Sequence, residues 1–446
     1  MKVGTGYRDI LRIYIPLMVS AASQVVVGIS DIFFLGRLSS LEQAAGNYGY
    51  LIFLVMTVIG LGISNGLSII IARRSGEGKL REIPVILWHG FMIIGIYATV
   101  AVIFIIFFLS DFLRLALSDV ELQDQVMIYC INRAPALFFS MPAAILTAFF
   151  VGTAKPRPIS WAVFTGALLN IFLDYAFVFG RFGFPVLRVE GVARATVVAE
   201  FVVLMMLLLA VLFNKSRGVL FPKLFQTSQL RILTQIAEIS SPLFLQNGLS
   251  LFSWLLFFTF IEKAGLEFLK ASSIIRAYYG ITLIPAIALI STVSSMISNY
   301  LGQNPTGNAV FFTRRLMIAG SWFCWPWVLI TIFLYREFLS IFSSQSEIVS
   351  LAVDSKWSIG LSIFLLPIVF VLFSSITGLG KTKTTLLIEA LSLLIYLFFA
   401  AWVCHWETPS LAWIWFSEPL YHLLLGVFAW LWHNFYFTSR YKVRFF

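Results

Sequence analysis

Charged residues are scarce in this chain. Only 12% of its 446 residues are Asp, Glu, Lys or Arg, and 60% are hydrophobic, whereas a soluble domain has about 25% charged residues. No soluble fold can bury this much apolar surface, so the composition excludes a soluble protein. The net charge of +10 would suggest a nucleic-acid partner in a soluble protein. Membrane topology explains it better here, and we expect no nucleic-acid partner.

Cysteine and histidine are also few. The three cysteines, Cys130, Cys324 and Cys404, all fall in apolar runs and form no CxxC pair. We interpret them as packing residues rather than disulfide or metal ligands. The four histidines are scattered, and the chain has no HExxH motif. These absences argue against a structural metal, a cofactor and an enzyme active site.

Long apolar runs dominate the sequence instead. A helix that spans a bilayer needs about 20 apolar residues, and twelve runs meet this requirement. The predicted spans are 10–36, 47–72, 84–110, 125–151, 158–180, 191–213, 231–260, 270–300, 311–335, 351–378, 384–404 and 411–436. An even number of spans puts both termini on one side of the membrane. The loops and adjoining span ends of that side hold 20 Lys and Arg residues against 8 on the other, which predicts cytoplasmic termini in the inner membrane.

The two halves of the chain share motifs at a constant offset of 226 in the sequence. The matching pairs are Pro16 with Pro242, Ile71–Gly76 with Ile297–Gly302, and Gly152–Lys155 with Gly378–Lys381. We therefore predict an all-α membrane protein made of two six-helix bundles related by a pseudo-two-fold axis. The predicted division is an N-lobe at 1–213, a cytoplasmic linker at 214–230 and a C-lobe at 231–446. Transporters built from such repeats bind substrate between the repeats.

Two aspartates lie inside apolar runs, where a charge costs about 2.5–3.5 kcal/mol at a helix centre. Asp31 is in span 1 and Asp174 in span 5, with Asn170 one turn earlier on the same face. Thr196 and Glu200 share a face of span 6. Neighbouring buried carboxylates share a proton, and the same oxygens with an amide and a hydroxyl could coordinate Na⁺. We predict an ion-coupling site; the alternative is a buried network that only ties helices together.

Further polar residues fall inside the spans. Arg133, which shares a face of span 4 with Tyr129, either neutralises an acid or extends to the outer interface. Gln246 and Asn247 on span 7 could face a substrate cleft from the second half, and Arg133 is a further candidate for that cleft. Pro16 removes a helical hydrogen bond, so a bend there could couple to protonation of the acid in span 1. Arg194 and Glu190 are expected to pair with each other.

The second half does not repeat the acids of the first. At the offset of 226, Asp31 corresponds to Phe257, Asn170 to Tyr396 and Asp174 to Ala400. Ion coupling is therefore expected to run through the first half alone. Glu389 and Glu418 lie nearer the ends of their spans, where we expect the membrane interface to solvate them.

These motifs resemble the multidrug and toxic compound extrusion (MATE) transporters over essentially the whole chain. The matching stretches are RIYIP (Arg12–Pro16), SDIFFLGRL (Ser30–Leu38), IARRSGEG (Ile71–Gly78), LNIFLDYAFVFG (Leu169–Gly180), GVARAT (Gly191–Thr196) and TGLGKTK (Thr377–Lys383). The set Asp31, Asn170, Asp174 and Thr196, with Tyr129 nearby, looks like the cation site of the archaeal and DinF-like branch. Glu200 looks like an addition to that site.

The resemblance implies two helix bundles in a V around a central cleft. It also implies a secondary antiporter that exports small amphipathic, often cationic, organic compounds in exchange for H⁺ or Na⁺, and we expect a monomer. A flippase of the same superfamily, moving a lipid-linked oligosaccharide or precursor, is the alternative. Such flippases tend to carry extra spans or a basic cleft, whereas this chain has twelve spans and acidic cleft candidates. A membrane enzyme or scaffold is the third possibility.

Overall fold

The computed structural model describes residues 3–213, 230–304, 309–343 and 345–441. Every regular element within these ranges is helical. The first half contains α1 (Tyr7–Leu35), α2 (Ser40–Gly76), α3 (Ile83–Phe107), α4 (Leu109–Ala116), α5 (Val120–Arg133), α6 (Leu137–Gly152), α7 (Arg157–Phe179) and α8 (Arg188–Phe213), with 3-10 helices at Leu80–Glu82 and Ala134–Ala136. The second half contains α9 (Leu230–Ala264), α10 (Leu266–Thr282), α11 (Ile284–Gln303), α12 (Ala309–Phe333), α13 (Tyr335–Phe342), α14 (Ser346–Val353), α15 (Lys356–Gly378), α16 (Thr382–Cys404), α17 (Leu411–Trp415) and α18 (Ser417–Tyr441).

Twelve helical stretches among these residues are long and apolar enough to cross a membrane. The prediction of an all-α protein with twelve transmembrane helices is therefore confirmed, and the chain is a multi-pass membrane protein. Several stretches combine consecutive elements, because a proline or a short break interrupts the helix without ending the apolar run. Examples are Val120–Gly152, which joins α5 to α6, and Leu411–Thr438, which joins α17 to α18.

The eighth predicted span, 270–300, is not one helix. The structure divides it between α10, which ends at Thr282, and α11, which begins at Ile284 with Pro285 in its first turn. Proline has no amide hydrogen and its ring clashes with the carbonyl four residues earlier, so it starts a helix more readily than it continues one. The stretch that is long and apolar enough to cross a membrane here is α11.

The helices of the two halves repeat in length and position. Helices α3 (Ile83–Phe107) and α12 (Ala309–Phe333) are both 25 residues long, and their first residues are related by the same offset as the sequence motifs. The short helices α4 and α13, both 8 residues long, follow them at this offset. Two unrelated six-helix units would have no reason to share helix ends, so these correspondences support a duplication.

One close helix contact also occurs twice. A Cβ on Gly152, at the end of α6, would lie 2.9 Å from the carbonyl oxygen of Ser68 on α2. A Cβ on Gly378, at the end of α15, would lie 2.6 Å from the carbonyl oxygen of Ser294 on α11. Gly378 and Ser294 are the positions that correspond to Gly152 and Ser68 in the other repeat. Each glycine lets its helix approach the neighbouring backbone more closely than any side chain would allow.

The chain forms two compact units. The N unit comprises Val19–Ser75 and Lys79–Phe244, and the C unit comprises Met1–Met18, Gly76–Gly78 and Leu245–Phe446. Helices α1 and α9 therefore each contribute residues to both units. The predicted linker, 214–230, lies outside the described residues except for Leu230, the first residue of α9. The predicted lobes at 1–213 and 231–446 stay a prediction.

The core of the C unit is aromatic. Its fully buried side chains include Phe257, whose ring lies 5.4 Å from that of Tyr396 and 5.3 Å from that of Trp415. Tyr278 packs edge-on against Tyr335 at 4.7 Å. Aromatic pairs of this kind add about 0.5–1.5 kcal/mol beyond the burial of their area. The first set of rings joins α9 to α16 and α17, and the second joins α10 to α13.

The N-terminal residues are attached to the C unit by hydrogen bonds of their backbone. The amide of Val3 donates to Oδ1 of Asn299 at 3.2 Å, and Nε2 of Gln303 donates to the Val3 carbonyl at 3.0 Å. Nη1 of Arg315 donates to the carbonyl of Thr5 at 3.1 Å. Side chains of α11 and α12 thus hold the segment that leads into α1.

Candidate functional site

The two predicted aspartates lie together in the N unit. Asp31 on α1 is 4% exposed, and Asp174 on α7 is fully buried. Their carboxyl groups are close enough to share a hydrogen bond when one of them carries a proton. The Asn170 side chain is also next to the Asp31 carboxyl. Two apposed carboxylates away from water repel each other, so the pair favours taking up a positive charge.

Asn170 and Thr196 join α7 to α8 beside this pair. Nδ2 of Asn170 lies 3.4 Å from Oγ1 of Thr196, which it reaches as a donor. The Thr196 hydroxyl in turn donates to the carbonyl of Val192, 3.1 Å away on its own helix. These contacts orient the amide, because its nitrogen is engaged on the α8 side. Its oxygen is left available.

Four buried oxygens of this cluster accept no hydrogen bond from any residue in the described ranges. They are Oδ1 of Asp31, Oδ1 and Oδ2 of Asp174, and Oδ1 of Asn170. A buried acceptor without a donor costs about 1–3 kcal/mol, and more when it is charged. Four such oxygens in one place are suited to a proton or a metal cation with oxygen ligands, such as Na⁺.

Arg133 supplies a positive charge to the cluster. Its Nη1 lies 4.0 Å from Oδ2 of Asp31 and donates to the hydroxyl of Tyr129, which is buried. The guanidinium also lies over the ring of Phe53, 5.1 Å from its centre. Arg133 thus lies beside an acid, as one of its two interpretations requires, and its role stays a prediction.

Glu200 belongs to the same cluster. It lies one turn after Thr196 on α8, near the Arg133 guanidinium and the Ser140 hydroxyl. Its Oε2 is buried and bonded to no described residue. If all three acids were ionised, a single guanidinium would leave two negative charges in a low-dielectric interior. That charge state is costly, so the cluster favours binding at least one proton or cation.

The other predicted residues lie outside this cluster. Arg194 pairs with Glu190, as expected, and donates to Oδ1 of Asn132 at 3.1 Å; its side chain is 51% exposed. Gln246 and Asn247 lie on α9 in the C unit and are half-buried. Pro16 lies inside α1, in the part that belongs to the C unit.

The expectation that the membrane interface solvates Glu389 and Glu418 was wrong. They are only 4% and 2% exposed and accept hydrogen bonds from hydroxyls of the C unit. Glu389 lies two turns inside α16, and α17 precedes Glu418 within the same apolar stretch. Polar neighbours on the same helix face could have indicated this burial from the sequence. Tyr396 lies seven residues after Glu389, and His422 lies four residues after Glu418. The C unit therefore has buried acids of its own.

The sequence matches the family described as MatE twice, at residues 16–176 and 242–402. The two matches begin and end at equivalent positions of the two halves, which confirms the internal duplication. A probable multidrug resistance protein NorM of Thermotoga maritima is 25% identical over 394 residues, covering 86% of this chain and 83% of the relative. The multidrug resistance protein NorM of Vibrio cholerae is 22% identical, covering 76% of this chain and 74% of the relative.

A solved structure has the same fold along the whole chain. It is the outward-facing conformation of a multidrug resistance MATE family transporter of the MOP superfamily. Its TM-score is 0.89 at 18% sequence identity, and the match covers 99% of this chain and 98% of that one. With the duplicated family match over most of the sequence, this chain belongs to the MATE family of membrane transporters, which are not enzymes.

Proposed function

We propose that the chain is a secondary active antiporter that exports small organic compounds in exchange for H⁺ or Na⁺. The observation that carries the proposal is the set of four buried oxygens at Asp31, Asn170 and Asp174 that accept no hydrogen bond from a described residue. Acceptors without donors contribute nothing to holding helices together, so a structural network does not explain this cluster. Acceptors left unpaired suit a site that gains and loses a positive charge during a transport cycle.

The remaining residues of the cluster have roles in this cycle. Asp31 and Asp174 hold the proton or cation, and Asn170 and Thr196 supply neutral oxygens. Arg133, with Tyr129, keeps the net charge of the empty site from becoming prohibitive, and Glu200 adds a third acid. Binding of the ion neutralises the pair and removes the repulsion between α1 and α7. A conformation that holds the two helices close therefore binds the ion more tightly than one that separates them. Alternating access requires such a difference in affinity between two conformations.

The substrate class follows from the relatives and from charge. Two relatives are described as multidrug resistance proteins, which supports the export of amphipathic compounds of several kinds. An acidic interior favours cations among them. We further propose a monomer of the DinF-like branch in the inner membrane, with both termini cytoplasmic. Gln246 and Asn247 stay predicted substrate contacts, and Pro16 a predicted point of bending.

Transport in proteoliposomes tests this proposal. The purified chain is reconstituted, and export of a cationic dye is followed under a pH gradient and, separately, under a Na⁺ gradient. One gradient is expected to drive export more strongly than the other, which identifies the coupling ion. Asp174→Asn and Asp31→Asn are expected to abolish gradient-driven export, because an amide does not exchange a proton or supply a charge.

Asp111→Asn is the matched control. Asp111 lies on α4 in the same unit, but its side chain is exposed and faces Arg114 at 3.7 Å, so its loss should leave export unchanged. Size-exclusion profiles establish that each variant is folded. Full gradient-driven export by Asp174→Asn would contradict the assigned coupling site. Equal export with and without either gradient would contradict antiport itself.

A further inference from the structure

The C unit contains a second buried polar cluster. Glu389 on α16 accepts two hydrogen bonds at Oε1, one from the Ser250 hydroxyl and one from the Tyr421 hydroxyl, both at 2.7 Å. Glu418 on α18 accepts from the Tyr396 hydroxyl at 3.1 Å and from the Tyr279 hydroxyl at 3.4 Å. Both carboxyls are thus held by hydroxyl donors.

A chain of hydrogen bonds leads away from Glu418. The Tyr279 hydroxyl lies 2.9 Å from Oγ of Ser362, and that oxygen lies 3.0 Å from Nδ1 of His422. The Tyr279 and Ser362 hydroxyls can donate in either direction when Nδ1 of His422 carries no proton; a protonated Nδ1 donates to the Glu418 carbonyl, 2.9 Å away, and Ser362 then only accepts from it. A protonated Glu418 donates to the Tyr279 hydroxyl instead of accepting from it. The Tyr279 hydroxyl then donates to Oγ of Ser362, so the hydrogen-bond direction reverses along the chain. Such a chain can move a proton by successive reorientation.

This cluster occupies the position of the N-unit site in the other repeat. Tyr396 corresponds to Asn170 and Tyr279 to Phe53 at the offset of 226, within the two matched stretches of the family. His422 corresponds to Thr196 at the same offset. The acids themselves do not correspond. The second repeat has thus placed carboxylates from different positions at the location where the first repeat holds its acids.

A buried hydroxyl also faces the cluster. Ser253 is fully buried, and its hydroxyl is bonded to no described residue. It lies on α9 three residues after Ser250, which contacts Glu389, and four before Phe257, whose ring packs on Tyr396. Helical register places these three residues of α9 on one face. Ser253 therefore lies on the face of α9 that contacts α16 through Ser250 and Phe257.

The groups around the cluster favour a proton over a metal cation. Helix α9 contributes the Ser250 and Ser253 hydroxyls, and α15 contributes Ser362. Helix α10 contributes Tyr279 and, one turn earlier, the Arg276 guanidinium, which lies over the Trp254 and Phe258 rings of α9 at 5.5 and 5.4 Å. Helix α16 contributes Glu389 and Tyr396, and α18 contributes Glu418, Tyr421 and His422. Oε1 of Glu389 and both carboxyl oxygens of Glu418 accept from hydroxyls. Reorienting one hydroxyl makes room for a proton, whereas a metal ion would have to displace several donors.

We propose that Glu389 and Glu418 form a second proton-binding site, in the C unit, connected to His422 through Tyr279 and Ser362. The site takes up protons independently of Asp31 and Asp174. Its contribution to transport rests on the proposed antiport, but its protonation does not. In this chain the coupling of protons is not confined to the first half.

Infrared difference spectroscopy tests the site without transport. Spectra are recorded on the purified full chain after a pH step, in a background of Asp31→Asn, Asp174→Asn and Glu200→Gln that removes the N-unit acids. A carboxyl protonation signal is expected to remain in this background. It should weaken on Glu389→Gln and on Glu418→Gln, and its frequency should shift on Tyr279→Phe. A signal that none of these three substitutions changes would overturn the proposal.

A transport measurement tests the hydrogen-bonded chain. Tyr279→Phe removes one hydroxyl and is expected to slow pH-driven dye export about fivefold, as for the loss of one hydrogen bond. Tyr335→Phe is the matched control: its buried hydroxyl lies 3.0 Å from Ser355, away from the cluster, so export should stay within about twofold. Equal slowing in both variants would overturn the relay. Absent dye export by the unmodified chain, with the infrared signal intact, would contradict the antiport and leave the proton site standing.

Discussion

The Arg133 guanidinium lies 4.0 Å from the Asp31 carboxylate, and both side chains are buried in the N unit. The site therefore combines one fixed positive charge with three acids, rather than an isolated acid pair. Arg133 stabilises the ionised form of Asp31, while neither carboxyl oxygen of Asp174 accepts a hydrogen bond from a described residue. This difference makes the two aspartates unequal, and it makes Arg133 the residue whose removal should affect the site most broadly.

Arg133→Gln is expected to destabilise the protein by about 3 kcal/mol, because breaking a buried ion pair leaves an uncompensated charge. Thermal unfolding of the detergent-solubilised chain measures the effect. Arg194→Gln is the control, since Arg194 pairs with Glu190 on an exposed face, where an ion pair contributes less than about 1 kcal/mol. Similar stability losses for the two variants would show that Arg133 does not act through a buried pair.

Gly152→Ala and Gly378→Ala are expected to destabilise the protein to a similar extent, by about 1–3 kcal/mol each. The added methyl groups would lie 2.9 Å and 2.6 Å from carbonyl oxygens of the facing helices. Gly95→Ala is the control, because a Cβ there meets no atom of the described residues within 4 Å, and alanine favours a helix over glycine by about 0.5–1 kcal/mol. Thermal unfolding should rank Gly95→Ala at or above the unmodified chain. A neutral effect at only one of the other two glycines would argue against the repeated contact.

Glu42→Gln is expected to cost about 1 kcal/mol of stability, because two charged hydrogen bonds become weaker. Arg188 donates to Oε1 and Oε2 of Glu42 at 2.6 and 2.5 Å, joining the beginnings of α2 and α8. Hydrogen bonds to a charged group contribute about 1.5–3 kcal/mol, and the exposure of Arg188 reduces that value. Asp111→Asn, at an exposed pair, should change stability by less than about 0.5 kcal/mol. An unchanged melting temperature for Glu42→Gln would refute this contribution.

Asn299→Ala is expected to loosen the N-terminal segment. Oδ1 of Asn299 accepts from the Val3 amide and from Nε2 of Gln303. Without it, amide hydrogen exchange in residues 3–7 should accelerate about fivefold or more, as for the loss of one hydrogen bond. Exchange in α16 serves as an internal reference and should not change. Unaltered exchange at residues 3–7 would show that other contacts hold this segment.

Apolar length indicated the number of spans, and motifs at a constant offset indicated the duplication. Acids in the middle of apolar runs pointed to the N-unit cluster, and register on one helix related Asn170 to Asp174. The burial of Glu389 and Glu418 was missed because they lie nearer the ends of their apolar runs. Two of their donors, Ser250 and Tyr279, lie on α9 and α10, far away in the sequence. Distance from a span end is a poor measure of burial when other helices supply the partners.

The division of α1 and α9 between the two compact units has a consequence for synthesis of the protein. The N unit includes residues up to Phe244, and the C unit includes the segment from Met1 to Met18. A nascent chain cannot complete the N unit when α8 leaves the ribosome, because the beginning of α9 is still missing. The segment that leads into α1 must wait longer still, until α11 and α12 provide Asn299 and Arg315, the partners of Val3 and Thr5. Strict domain-by-domain folding in the order of synthesis is therefore excluded for this protein, since the segment that is made first is among the last to find its partners.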